Sequence, residues 1–460
     1  MKLGFNTSGN SQTNNRTTLA ISLGKLRNTT ASTTRKFKYC NARSPDLNVT
    51  FNCVFNGTTT PTIEDQYFNT YHILTEYIPP LDENIPADDT ILQEDDTILQ
   101  EDDTIPLDEN IPMLRSFAPQ ANIISSGPFS PSQIKKAYSI TNVSPLNGAR
   151  KPIITIITAF YNPYLVNDVT AFGRYFGLPP CNLKLYNLAR TNTFNSGWAI
   201  EVTLDVQWAY AINPNVEIRV IFANSNSWTD IFNAINFSNN KNNFSPAVDT
   251  DILSMSFGST DNGGLSSYNN YFNNTNTLYV ASSGDTPSVS FPSSCTNVLS
   301  IGGTSLRLNS DNSRNSETVW SSSGVGFSKS FPKPSYQPLL RNTNLRITPD
   351  VSCLADPITG GIVIINGKLY TVGGTSLSAP IYAGMLSLVQ QTRLNSKKTT
   401  YTSVSNKSNS IQPILYRNTN KTCYYDIVSG SSGGYSATTG FDIPSGLGVF
   451  NTTSIIQNLS

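Results

Sequence analysis

Histidine is almost missing from this chain, with His72 the single copy in 460 residues. Any chemistry that needs an imidazole base or ligand therefore has one ring at most to draw on. Charge is sparse as well. Asp, Glu, Lys and Arg make up 13% of the residues and cancel to a formal net charge of +0, so no general attraction to nucleic acid or to an acidic membrane surface is implied. No run of eighteen apolar residues occurs, and no membrane-spanning helix is expected. The opening stretch, MKLGFNTSGNSQTNNRTTLAISLGKL, lacks the basic-then-apolar layout of a signal peptide, which leaves the compartment open. Six cysteines, Cys40, Cys53, Cys181, Cys295, Cys353 and Cys423, form no CxxC pair. A zinc or redox centre is disfavoured, and disulfides are permitted but not specified.

What is present divides into three regions. Residues 1–79 are polar and irregular, with no evident role. Residues 80–112 read PLDENIPADDTILQEDDTILQEDDTIPLDENIP, an acidic repeat without Lys or Arg. Two full copies of DDTILQE are too few for a coiled coil, and Asp pairs disfavour a helix interior. An extended acidic linker or a partner-binding segment remains. From residue 129 to 460 the texture is that of a folded domain. Short β-rich runs, IITIITA (153–159), VEIRVIFA (216–223), DILSMSF (251–257), TLYVASS (277–283) and NVLSIGG (297–303), alternate with helix-compatible segments such as 165–176 and 228–237. That alternation predicts an α/β fold, doubly wound around a mostly parallel sheet, with sites where strands end.

TVGGTSLSAP (371–380), followed by the apolar run IYAGMLSLV, looks like a strand-to-helix turn presenting Ser376 as a nucleophile. Such a serine needs a base. GWAIEVTLDVQWAYAINP (197–214) holds Glu201 and Asp205. Its apolar residues alternate from Trp198 to Trp208, which read naively is a strand, and would separate the two acids by roughly 13 Å. On a helix they stand one turn and about 6 Å apart. Only the helix makes a pair that can share a proton, take one from a hydroxyl and return it to a leaving amine. A solvated polar face is the plain alternative. Asp285, in ASSGDTPSVSFP, is either a turn aspartate or a protonated donor to an oxyanion.

EVTLD, SSGD and GGTSLSAP, in that order, resemble the sedolisin (serine-carboxyl) peptidases. FSPSQIKKAYSI, FGLPPCN, FPSSCTNVLSIGGTSL, TPDVSCLADPITG and FDIPSGLG fit the same resemblance, which covers about residues 129–460. It implies a subtilisin-like fold and an endopeptidase or tripeptidyl-peptidase cutting peptides or proteins through an acyl-enzyme in acid; a monomer is expected. Ser376 would be the nucleophile, Glu201 the base, Asp205 the acid behind it and Asp285 the oxyanion acid. The resemblance also implies one Ca²⁺ in YYDIVSGSSGGYSATTGFDIPSG (424–446), held by Asp426 and Asp442 and by carbonyls of Ile427, Thr438 and Gly440. The chain departs from the family at several points. Residues 1–128 show no recognisable propeptide, Phe257 stands where Trp is frequent, IITIITA has no acid, and SSSGVGFS (321–328) varies the substrate-wall loop. Two other readings stay open: a conventional serine hydrolase using His72, and a binding protein that keeps the fold without turnover.

Overall fold

The computed structural model describes residues 127–140, 148–188 and 193–459, except 339, 342, 406 and 418–421. In the N-terminal region it describes the backbone of four strands, β1 (Thr18–Ala20), β2 (Phe37–Ser44), β3 (Val49–Phe55) and β4 (His72–Tyr77). The acidic repeat at 80–112 and the side chain of His72 lie outside the described residues.

The domain begins with α1 (Pro131–Ala137), started by a reciprocal cap between Ser130 and Gln133. There follow β5 (Ile153–Ala159), α2 (Leu165–Tyr175), β6 (Asn182–Asn187), α3 (Ser196–Ile212), β7 (Glu217–Ala223), α4 (Trp228–Asn239) and β8 (Ile252–Met255). After the short β9 (Ser259–Thr260) come β10 (Leu278–Ser282), the short β11 (Ser290–Phe291), β12 (Val298–Leu308) and β13 (Arg314–Val319). The chain continues through β14 (Gly326–Pro332), β15 (Leu345–Thr348), β16 (Val351–Leu354), the hairpin β17 (Gly361–Ile365) and β18 (Lys368–Val372), and then α5 (Thr375–Asn395).

The central sheet runs β13-β12-β10-β8-β5-β7-β6, with β16 also paired to β12. All its pairings are parallel except β12 with β13. Parallel strands covered on both faces read as continuous apolar runs, and β5, IITIITA, is buried at every position. Its side chains serve two cores in turn. Ile154 and Ile156 join α2, α3 and α5 on one face, whereas Ile157 and Ala159 join α4 on the other. This is the mostly parallel, doubly wound architecture the strand runs imply.

Residues 197–212 are helical despite their alternating pattern. Asn195 caps α3 by accepting from the Trp198 N–H at 3.1 Å. Nearly all of the helix is buried, so no solvent face exists to impose a 3.6-residue stripe. It packs against α5, where a Cβ on Gly384 would fall 2.5 Å from Ile212 Cβ. Cys181, Cys295 and Cys353 are free thiols. Among the described residues no helix is long and apolar enough to cross a membrane.

Asp168 of α2 is 4% exposed, and its Oδ1 accepts from the Asn366 N–H at 2.7 Å in the β17–β18 turn. Burial pushes this carboxyl from 3.8 up to about 7, with the Asn366 bond opposing the rise. The folded chain then binds the proton more tightly than the unfolded chain. The associated stability is full below the unfolded value and is lost as pH rises through about 7. Asp168→Asn keeps an acceptor and cannot ionise. Its melting temperature should therefore gain on the wild type between pH 4 and pH 8; parallel curves would show that Asp168 does not titrate in the fold.

Candidate active site

Three strand ends and two helices converge on one buried cluster. Ser376 is the second residue of α5, entered from β18 through Gly373 and Gly374. Glu201 and Asp205 stand one turn apart on α3, and Asp285 follows β10. Their exposures, 1% for Ser376, 5% for Glu201, 1% for Asp205 and 1% for Asp285, put all four out of water. The structure thus brings together the four residues singled out from the sequence.

Burial, then the charge of Asp205, then that of Asp285 push the Glu201 carboxyl well above its ordinary range, and the Ser376 hydroxyl against it opposes the rise. Asp205 is likewise raised by burial, with a bond from Ser256 opposing. Burial and mutual repulsion thus both disfavour the charged forms of the pair. Glu201 Oε1 is buried without a hydrogen-bond partner, an open acceptor in a site where such groups are rare. The Ser376 hydroxyl makes its own long bond, 3.4 Å, to the carbonyl of Ser256. Catalytic bonds are often loose before substrate binds.

Asp285 is fixed from the α5 side. Its Oδ1 accepts from the Thr375 N–H at 2.7 Å and from the Thr375 hydroxyl at 2.8 Å. That hydroxyl accepts in turn from the Gly284 N–H at 3.0 Å. Asp285 Oδ2 faces Gly374, where an added Cβ would lie 2.6 Å away and where φ is +101°. Two contributors were not legible in the sequence. Ser256 and Thr375 act through hydroxyls whose partners are distant in sequence, and only the position of Ser256 at a strand end pointed toward the site.

The subtilase family pattern matches residues 196–433. Sedolisin from Pseudomonas sp. (strain 101) is 34% identical over 180 residues, 36% of this chain and 29% of its own length. Kumamolisin from Bacillus sp. (strain MN-32) is 32% identical over 222 residues, 42% of this chain and 39% of its own. This chain belongs to the subtilase family. It spans well under two thirds of the length of those two relatives. Among solved structures, Pseudomonas sedolisin, a serine-carboxyl proteinase complexed with two molecules of pseudo-iodotyrostatin, aligns with a TM-score of 0.61 at 24% identity. It covers 71% of this chain and 96% of that one, a likeness of fold.

The loop that sedolisin resemblance marks for calcium is described. Asp426 Oδ2 accepts from the Gly440 N–H at 2.8 Å, and Asp442 Oδ2 from the Thr438 N–H at 2.7 Å. Asp442 Oδ1 accepts from both the N–H and the hydroxyl of Ser445. Burial, and less strongly the charge of Asp426, raise Asp442, with the Ser445 and Thr438 bonds opposing. Among the described residues no group of three or more His, Cys, Asp or Glu side chains is placed to hold a metal. A cation here would rest on two carboxylates and backbone oxygens. His72 sits in β4 with its Cα opposite Thr371 of β18.

Gly374→Ala tests the approach of Asp285 to the nucleophile turn. A methyl group there meets Oδ2 and disfavours the observed φ, so kcat on a peptide substrate should fall by about 10²-fold or more while KM changes less. Unchanged kcat would show that the contact is dispensable.

Proposed function

We propose that this chain is a serine-carboxyl peptidase that hydrolyses peptide bonds in acid through an acyl-enzyme. The observation that carries the reading is the buried pair Glu201 and Asp205, one turn apart, set against the hydroxyl of Ser376. Ser376 Oγ attacks the peptide carbonyl while its proton passes to Glu201. Asp205 behind Glu201 holds the dyad's remaining charge or proton. The carbonyl oxygen becomes an oxyanion, which accepts a hydrogen bond from a protonated Asp285. The C–N bond then breaks, and the leaving amine takes the proton from Glu201. Water attacks the acyl-enzyme, again losing a proton to Glu201, and Ser376 recovers that proton as the acid product leaves. Peptides are the proposed substrates, in keeping with relatives named as tripeptidyl-peptidases.

The donor set at 424–446 suits Ca²⁺, a hard cation that takes oxygen ligands. The fit rests on Asp426 and Asp442, like charges brought close enough for one to raise the other. Asp426, Asp442 and the carbonyls of Ile427, Thr438 and Gly440 would hold it. A bound ion supplies no chemistry at Ser376; it stabilises the folded loop by mass action.

The pH profile tests the mechanism. The dyad must be at least partly ionised and Asp285 protonated; burial raises the dyad above the ordinary carboxyl value of about 4, so kcat/KM should peak on the acid side of neutrality, with the dyad setting the acid limb. Asp285→Asn, a donor that cannot ionise, should flatten the alkaline limb. Glu201→Gln should lower kcat by about 10³-fold or more, and His72→Ala should leave it unchanged. An optimum at pH 7–8 that is lost in His72→Ala would point to an imidazole base instead.

Chelation tests the metal. Near neutral pH, where the ligands stay ionised, EDTA should lower the melting temperature, and elemental analysis should find about one calcium per chain. Superimposable melting curves with no calcium found would remove the ion from this loop.

A further inference from the structure

Ser256 lies just past the end of β8 and is 1% exposed. Its hydroxyl donates to Asp205 Oδ1 at 2.6 Å and lies 3.4 Å from the carbonyl oxygen of Ser376. Its own carbonyl accepts from the Ser376 hydroxyl at 3.4 Å. One residue thus touches the buried acid and both the backbone and the side chain of the proposed nucleophile. The Ser376 carbonyl is open to it for a reason in the sequence. Within an α-helix the N–H of residue i bonds the carbonyl of residue i−4, and residue 380 is a proline inside α5. Pro380 therefore gives Ser376 no i+4 donor, and the Ser256 hydroxyl lies beside that carbonyl from the end of β8.

We propose that Ser256 is a positioning residue for the reaction, one that stabilises the ionised form of Asp205 and anchors Ser376 to the end of β8. This deepens the peptidase reading and rests on it. A hydroxyl donating to a carboxylate at 2.6 Å makes a charge-assisted bond, stronger than one between neutral groups. The other ionisable groups acting on the dyad are Glu201 with Asp205 itself and Asp285, all acids that resist ionisation of their neighbours. On the flanking strands β5 and β10 the register, continued by one residue, places Thr158 and Ser282 level with Ser256. Neither ionises. The Ser256 hydroxyl is accordingly the group that counters the burial of Asp205. It lets the dyad give up a proton at a lower pH and so keeps Glu201 available as a base in acid.

The test compares Ser256→Ala and Ser256→Thr in the full chain, by activity and by stability. In Ser256→Ala the acid limb of kcat/KM should move up by about one pH unit and kcat should fall about tenfold. Ser256→Thr, which keeps the hydroxyl, should return the limb close to its original place. A limb that stays put in Ser256→Ala would overturn the proposal, because lost packing alone does not change the proton affinity of Asp205. The stability arm needs no turnover. Ser256→Ala should cost more melting temperature at pH 8, where Asp205 is more ionised, than at pH 4, and the excess should vanish in an Asp205→Asn background. An equal cost at both pH values would also overturn it. If the pH-dependent excess appears but no peptide is cut, the peptidase reading fails while the Ser256–Asp205 coupling stands.

Discussion

Two carboxyl groups buried on adjacent turns of one helix impose the central constraint on this structure. An isolated ionised carboxylate in a dry interior is strongly unfavourable, and two of them are worse. The site resolves the conflict by letting the pair hold protons above the ordinary carboxyl range, opposed by the hydroxyls of Ser256 and Ser376. Everything that keeps water out serves that arrangement. α3 is buried along almost its whole length and packs on α5, where Gly384 leaves room for Ile212. A wetter helix would let both acids ionise as ordinary surface groups do.

The nucleophile turn meets a second constraint, that of backbone rather than charge. Gly374 has a φ that side chains rarely adopt, and its missing Cβ leaves room for Asp285 Oδ2. Thr375 then fixes Asp285 Oδ1 with two donors, while the hydroxyl of Ser378 bonds the carbonyls of Cys353 and Leu354 in β16. The start of α5 is thus tied to two strands of the sheet within four residues. Pro380 withholds the i+4 donor from the Ser376 carbonyl, and the hydroxyl of Ser256, donated to Asp205, lies 3.4 Å from it. The same residues that make the turn tight make its polar groups point where they are used.

The acids elsewhere in the domain follow the same physics with different outcomes. Asp350 is fully buried beside Arg346, which bonds both its carboxylate oxygens. Asp168 is buried with one backbone donor and no cation, and its carboxyl is pushed up to about 7. Asp442 keeps three hydrogen bonds next to a like charge. Arg346 pairs with Asp350, whereas burial raises Asp168 and Asp442 above the ordinary carboxyl range.

Much of this was written in the chain itself. Runs such as IITIITA specify strands buried on both faces, because only a strand covered by helices can be apolar at every position. The small residues around Ser376 specify a tight turn, and the order of EVTLD, SSGD and GGTSLSAP specifies the family. Periodicity and spacing could not decide between strand and helix for 198–212, and only the sedolisin resemblance favoured the helix. A helix buried on every side has no polar stripe to report its period, and its chance alternation imitates a strand. Tertiary structure settled it by wrapping that segment with α2, α5 and the sheet. Nor could the sequence name Ser256 and Thr375. A hydroxyl carries no signal until folding places a carboxylate beside it, and theirs are 51 and 90 residues away.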